Sequence, residues 1–395
     1  MDAVIHQVTV TPLEIPLRTR VRHSAADRGV ADPVIVTVEL RNGTLGYGET
    51  AARSYVTGET VESVLDAIQS VFVPHLVSFH PESFADALAA VESLPWHDRR
   101  ENLIPAARAA VELAVLDAAL GHYGKDIDDV ARWSGIPRFG APGSLRTARF
   151  SGVLAEGAAG DILRRLRHMW WGGLRRFKLK VGLPDDAERL STLDHRLGRK
   201  LRSGQAMLRL DANGAWTLGE AVEWFRRRPD FPIEAVEQPL ARGRESDLRG
   251  FKDRVGVPLI HDESVATEAD LRRMIDLGVA DGINIRIAKC GGLLPSLRLA
   301  GIAHRQGVAI GIGCMVGETS ILSAAGLRLL EICPGVKWLE GCFGDRLLSA
   351  DVTCRSLKFG YGGRPPRLSD PGLGVEVLPD RLKRFCAAKP QQFVL

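Results

Sequence analysis

The sequence predicts an α/β protein built as a closed parallel β/α barrel behind a separate α+β domain, and three observations carry that prediction. Beyond about residue 143, short apolar strands alternate with amphipathic helical stretches. The polar residues that close successive strands are Lys180, Asp211, Glu237, Asp262, Lys289, Cys314 and Glu340, separated by 31, 26, 25, 27, 25 and 26 residues. One strand, one loop and one helix need about that length, and eight such units close a barrel. The chain before this region reads differently, with strands first and helices after them.

In order, VIHQVTVTPLEIPL and ADPVIVTVELRNGTLGYGE give two or three strands with a turn at Asn42-Gly43. Helical patterns follow from Thr60 to about Phe72, through the 80s, and over IPAARAAVELAVLDAAL from Ile104 to Leu120. Asp117 in that apolar helix reads as a structural hydrogen-bonder at a contact between the two domains. IPRFGAPG (136–143) is a boundary rich in Gly and Pro. Strands then appear at TARFSGV, RFKLKVG, AMLRLDANG, IEAVEQPL, VPLIHDES, GINIRIAKCGG, VAIGIGCM and VKWLEG. A doubly wound open sheet would carry a glycine-rich phosphate turn after its first strand; VLAEGAAG is a poor match, and GIGCMVG (311–317) has the wrong spacing.

Composition narrows the function. A hydrophobic fraction of 45% and a charged fraction of 25% are those of an ordinary globular enzyme or binding protein. The net charge of +4 is small and its basic residues are scattered among acids, which argues against a nucleic-acid partner. With no run of eighteen apolar residues and no signal-peptide pattern, the expectation is a cytoplasmic protein with no membrane partner. The six cysteines form no CxxC or zinc pairing and are expected to be reduced, mostly buried thiols.

In a barrel of this kind, chemistry gathers at the C-terminal ends of the strands. Those ends carry Lys178 and Lys180, then Asp211, Glu237 and Asp262 from three adjacent strands, then Lys289. Three converging carboxylates repel one another unless a cation sits among them, and all-oxygen ligands suit Mg²⁺, with Mn²⁺ a possible substitute. Lys178 and Lys180 lie two apart and so on one face of their strand. Like charges that close resist being charged together, which favours a neutral amine at Lys180 as a general base. Lys289, across the barrel mouth, is a second acid/base group. The chemistry this implies is removal of the proton next to a substrate carboxylate, with a metal stabilising the resulting enediolate.

The stretches FKLKVG, RLDANGAW, VEQPL, HDES and NIRIAKCGG, in that order, resemble the enolase superfamily in its muconate-lactonizing (mandelate racemase/muconate cycloisomerase-like) subgroup. VIVTVELRNGTLGYGE, AARAAVELAVLDAALGHYGK and the closing PGLGVEV extend the resemblance over most of the chain. It implies a modified TIM barrel, (β/α)7β, with a capping domain formed by the N-terminal region and the C-terminal tail: 1–138 cap, 139–365 barrel, 366–395 returning to the cap. It further implies Asp211, Glu237 and Asp262 as Mg²⁺ ligands, Lys180 and Lys289 as acid/base groups, Lys178 as helper of Lys180, Asn213 and Glu263 behind the ligands, and a homo-oligomer.

Substrate-closing lids are expected at TRVRHSAADRG (19–29) and AARSYVTGET (51–60), giving His23 and Tyr55 as specificity candidates beside Met315, Glu318 and Glu340. Dipeptide epimerases of the subgroup carry Asp-x-Asp at the eighth strand; here the residues are Trp338-Leu339-Glu340, which speaks against dipeptides. The first expectation is therefore racemisation or epimerisation of an amino-acid derivative by two opposed lysines. Cycloisomerisation, or elimination of the o-succinylbenzoate-synthase type, is second. A Schiff-base aldolase through Lys289 and a non-catalytic binding barrel are the readings from other classes.

Overall fold

A computed structural model describes residues 3–23, 26–155, 157–228, 230–368 and 371–395, without the side chains of residues 22, 23, 26 and 27. The N-terminal strands are β1 (Ile5–Pro12), β2 (Ile15–His23), β3 (Ala26–Ala31), β4 (Val34–Leu40) and β5 (Leu45–Thr50). The barrel strands are β6 (Gly152–Leu154), β7 (Arg176–Lys180), β8 (Met207–Asp211), β9 (Ala235–Glu237), β10 (Leu259–His261), β11 (Gly282–Ile285), β12 (Ala309–Ile312) and β13 (Val336–Leu339), and β14 (Gln391–Val394) ends the chain. The helices that bear on the site are α1 (Pro105–Tyr123), α2 (Ala159–Trp171), α3 (Asp186–Arg202), α4 (Leu218–Arg226), α5 (Leu248–Val255), α6 (Glu268–Asp276), α7 (Leu293–Arg305) and α8 (Ser320–Ile332).

Strands β6 to β13 form one sheet in sequence order, each paired parallel with the next. A parallel bridge from Phe150 to Leu339, with Ser151 N donating to Leu339 O at 2.8 Å, joins the first strand to the last. Helices α2 to α8 fill the seven connections, which makes the (β/α)7β barrel. Their starts follow sequence rules: Thr217 and Glu220, and Thr267 and Asp270, form reciprocal capping boxes before α4 and α6.

The other layer is an antiparallel sheet in the order β14-β1-β4-β5, so the chain's last strand returns to its first. Helix α1 lies on β5 so closely that only glycine fits beneath it. A Cβ on Gly48 would stand 1.9 Å from Ala110 O, and one on Gly46 2.2 Å from Ala114 O. Asp117 is a structural hydrogen-bonder as expected, accepting from Tyr47 N at 2.9 Å and from Leu373 N at 2.7 Å, but these bonds tie α1 to β5 and to the C-terminal segment, all parts of the cap. Of the stretch 19–29, expected to be a loop, residues 19–23 and 26–29 belong instead to the antiparallel strands β2 and β3, which pair Val21 with Arg28; residues 24 and 25 lie outside the described residues. No helix among the described residues is long and apolar enough to cross a membrane.

Candidate active site

The parallel register brings the predicted residues to one end of the barrel. Lys180, Asp211 and Glu237 are the last residues of β7, β8 and β9, and lie level with one another. Asp262 follows β10 by one residue and Glu340 follows β13 by one, whereas Lys289 lies four residues beyond β11, in a loop rather than at a strand end.

Lys178 and Lys180 do share a face. Both reach Asp211 Oδ2, at 3.0 and 2.7 Å. Lys178 is 3% exposed and also meets Glu237 Oε1 at 3.3 Å and Glu340 Oε2 at 2.6 Å. Lys180 donates to Asn213 Oδ1 at 2.5 Å, and Asn213 Nδ2 donates to Glu263 Oε1 at 3.3 Å. Burial pushes Asp211 up, but the two ammonium groups outweigh it and hold its carboxyl well below the usual range. Glu263 is raised, by burial and then by the charge of Asp211.

Lys289 is fully buried. Its Nζ is held by the carbonyls of Asp262, Val265 and Asn284 at 2.5, 2.8 and 2.8 Å, and by Asp262 Oδ1 at 3.1 Å. Burial lowers its pKa to about 8. A cavity of about 200 Å³ opens beside Lys178, Lys180 and Asn213. Tyr55, Met315 and Glu340 also line it, as do Val153, Phe343 and Leu347; Lys289 does not. The 51–60 stretch takes part through Tyr55 and Arg53, whose guanidinium bonds Asp32 Oδ1 at 2.8 Å and Val316 O at 2.7 Å. The side chain of His23 lies outside the described residues. Glu318 turns away from the cavity: it accepts from Met315 N and Ser323 Oγ, and burial raises it to about 8.

The three predicted carboxylates all stand at this end of the barrel, each in contact with a lysine. Among the described residues, no three His, Cys, Asp or Glu side chains are spaced to hold a metal ion. The physical reason is that cations already stand between them. Lys178 bridges Asp211 and Glu237, while Lys289 and Arg286 take Asp262. The donors nevertheless fit a hard cation in kind: all are buried carboxylate oxygens, and Asp262 Oδ2 and Glu263 Oε2 are buried without an aligned hydrogen bond. Lys178 supplies positive charge to Asp211 and Glu237.

Two cations escaped the sequence reading. Arg209 is buried against Glu340 and shares the parity of Asp211, the signal that also linked Lys178 to Lys180. Arg286 in NIRIAK lines the cavity and pairs with Asp262; it lies one residue beyond β11, so strand parity gives no signal for it.

Residues 161–381 match the family described as Enolase C-terminal domain-like. Over 389 residues the chain is 26% identical to the N-succinyl-L-Arg/Lys racemase of Bacillus cereus, covering 94% of this chain and 95% of that one. The solved structure of that racemase superposes with a TM-score of 0.85 at 24% identity, over 99% of this chain and 100% of that one. Muconate cycloisomerase 1 of Rhodococcus opacus is 28% identical over 390 residues, 97% of this chain and 99% of the relative. A dipeptide epimerase from Cytophaga hutchinsonii, solved with Mg and the dipeptide D-Ala-L-Val, shares the fold with a TM-score of 0.81 at 18% identity, covering 98% of this chain and 99% of that one.

Proposed function

Because this chain belongs to the enolase superfamily, among its racemases, epimerases and muconate cycloisomerases, we propose that it removes the α-proton of a carboxylate substrate to racemise or epimerise an amino-acid derivative. The observation that carries this reading is the pair Lys178 and Lys180, side by side at the end of β7 and lining one cavity with Asn213 and Glu340.

Asp211, Glu237 and Asp262 would hold a divalent cation, Mg²⁺ by donor type. When bound, that cation supplies positive charge at the substrate's carboxylate and so makes the neighbouring C–H more acidic. The chain's own residues do the rest. Lys180 presents its amine at the cavity wall and takes the α-proton on one face of the substrate. Lys178, fixed by Asp211, Glu237 and Glu340, holds its ammonium group beside the developing negative charge. Asn213 orients Lys180 through its Oδ1. Lys289, behind Asp262, exchanges the proton on the opposite face. Tyr55, Met315, Phe343 and Leu347 exclude water and shape the space for the substrate's side chain.

A second reading, one-base cycloisomerisation or β-elimination, is favoured by a specific observation: Lys180 lines the cavity and Lys289 does not. One experiment separates the two. N-acyl amino acids, dipeptides and betaines are incubated with enzyme and Mg²⁺ in D₂O, and mass gain reports α-proton exchange. Under the two-base reading Lys180→Ala abolishes exchange of one enantiomer and Lys289→Ala that of the other. Exchange confined to one enantiomer in the wild type supports the one-base reading, and exchange untouched by either substitution removes both.

A further inference from the structure

Lys289 owes its place to a short loop, residues 286–292, between β11 and α7, and the structure grips that loop from outside the barrel. Arg108 and Glu112 stand one turn apart on α1, both fully buried. Arg108 Nη1 donates to Gly291 O at 2.6 Å. Glu112 accepts from Leu293 N at 3.0 Å and Leu294 N at 2.8 Å, the free amides that open α7. Helix α7 has no side-chain cap of its own, since Gly292 sits where a Ser or Asp would.

The glycines admit the clamp. A Cβ on Gly291 would meet the Trp96 ring at 2.7 Å, and one on Gly292 would meet the Glu112 carboxyl at 2.5 Å. The clamp is itself anchored. Arg108 donates to the carbonyls of Leu94, Val91 and Glu92 at 3.2, 3.2 and 3.0 Å, with its guanidinium 4.6 Å from the centre of the Trp96 ring. Lys180, in contrast, is held by Asp211 and Asn213 within the barrel.

We propose that Arg108 and Glu112, with Trp96 beneath Gly291, are positioning residues for Lys289, fixing where its ammonium stands and therefore the rate of proton exchange on that one face of the substrate. This rests on the reading of Lys289 as the second base. A displacement of about 1 Å at a reacting group can cost roughly 100-fold in rate, so a loosened loop must show in the chemistry of Lys289 and spare that of Lys180.

The test uses the full-length enzyme with Mg²⁺ and the N-acyl amino acid that the wild type exchanges fastest, supplied as separate D and L enantiomers in D₂O. Glu112→Gln keeps one acceptor and sets an amide NH₂ against an amide N–H; Arg108→Lys removes the forked donor. Each is expected to slow, by about 10- to 100-fold, the enantiomer that Lys289→Ala abolishes, and to change the other less than 2-fold. Trp96→Leu, at a partly exposed position, disturbs the same loop without a buried charge and gives a smaller loss of the same one-sided kind, should the charge variants fail to fold. Equal slowing of both enantiomers, or none, in the folded variants overturns the proposal. If Lys289→Ala itself fails to distinguish the enantiomers, the two-base reading falls and this proposal with it, so the two failures are told apart.

Discussion

Replacing Lys178 by Met tests the electrostatic core of the site. The ammonium lies 3.0 Å from Asp211, 3.3 Å from Glu237 and 2.6 Å from Glu340, and is 3% exposed. Met keeps the length and removes the charge, leaving three buried carboxylates with Arg209 and Lys180 as their remaining cations. Removing one partner of a buried ion pair costs about 3–5 kcal/mol. An unfolding entropy of roughly 2 cal/mol/K per residue over 395 residues turns that into a fall in Tm of about 4–6 °C in EDTA. A divalent cation held by Asp211, Glu237 and Asp262 would then take over the missing charge. At one hundred times its Kd it adds about 2.7 kcal/mol, so Mg²⁺ is expected to restore roughly 3 °C, and to stabilise this variant more than the wild type, where Lys178 competes for the same oxygens. Differential scanning calorimetry with EDTA and with Mg²⁺ reads both effects. A variant that melts with the wild type in EDTA and ignores Mg²⁺ refutes the claim that these carboxylates depend on a cation between them.

Glu59 caps α1 by accepting from Ala106 N and Ala107 N at 2.7 and 2.9 Å, and burial raises it from 4.5 to about 7. Because the folded value lies above the unfolded one, its contribution is fully present below pH 4.5 and is lost as pH rises through 7. The stability of the wild type relative to Glu59→Gln should therefore fall by roughly 2–3 kcal/mol between pH 5 and pH 8, read by urea denaturation; a constant difference would contradict the buried, proton-binding carboxyl. Gly48→Ala, whose Cβ would stand 1.9 Å from Ala110 O, is expected to destabilise by more than about 3 kcal/mol, and a melting temperature close to wild type would mean that α1 can move off β5. EDTA should abolish α-proton exchange and Mg²⁺ restore it, with Mn²⁺ as a substitute, whereas activity that survives EDTA and is trapped by borohydride would point to a Schiff base on Lys289.

Much of this was legible in the sequence because a parallel barrel repeats. Strand ends recur at nearly constant spacing, so one good strand, RRFKLKVG, gives the frame for the next five. Parity placed Lys178 beside Lys180, and the level ends of β7, β8 and β9 agree with it. What parity cannot give is the course of the chain after a strand stops. The strand spacing puts Lys289 at the close of its strand, but β11 ends at Ile285, and the four residues beyond it carry the lysine behind Asp262. Its place in the loop after the seventh strand makes Glu318 a specificity candidate, but the amide of Met315 and the hydroxyl of Ser323 turn it inward. Both misplacements arise in loops, where tertiary hydrogen bonds rather than local pattern set direction. Residues 19–23 and 26–29 form strands rather than a loop for the opposite reason: their polar residues hide a pairing pattern.

The formal charges named around the site cancel one for one when Lys180 carries its proton, five against five: Asp211, Glu237, Asp262, Glu263 and Glu340 against Lys178, Lys180, Arg209, Arg286 and Lys289. Proton transfer from substrate to lysine leaves the total unchanged, because the charge gained by the amine is lost by the carbon acid. What changes is its distribution, with negative charge growing on the substrate's carboxyl oxygens and positive charge on the lysine that received the proton. A site can favour that change only with charges already fixed on the correct sides, since free reorientation would cost energy at the moment of reaction. The fixed members here are Lys178 and Arg209, each buried and each tied to Glu340. Lys180 is the more exposed of the two lysines on β7, and under the proposed function it is the member left to gain and lose the proton.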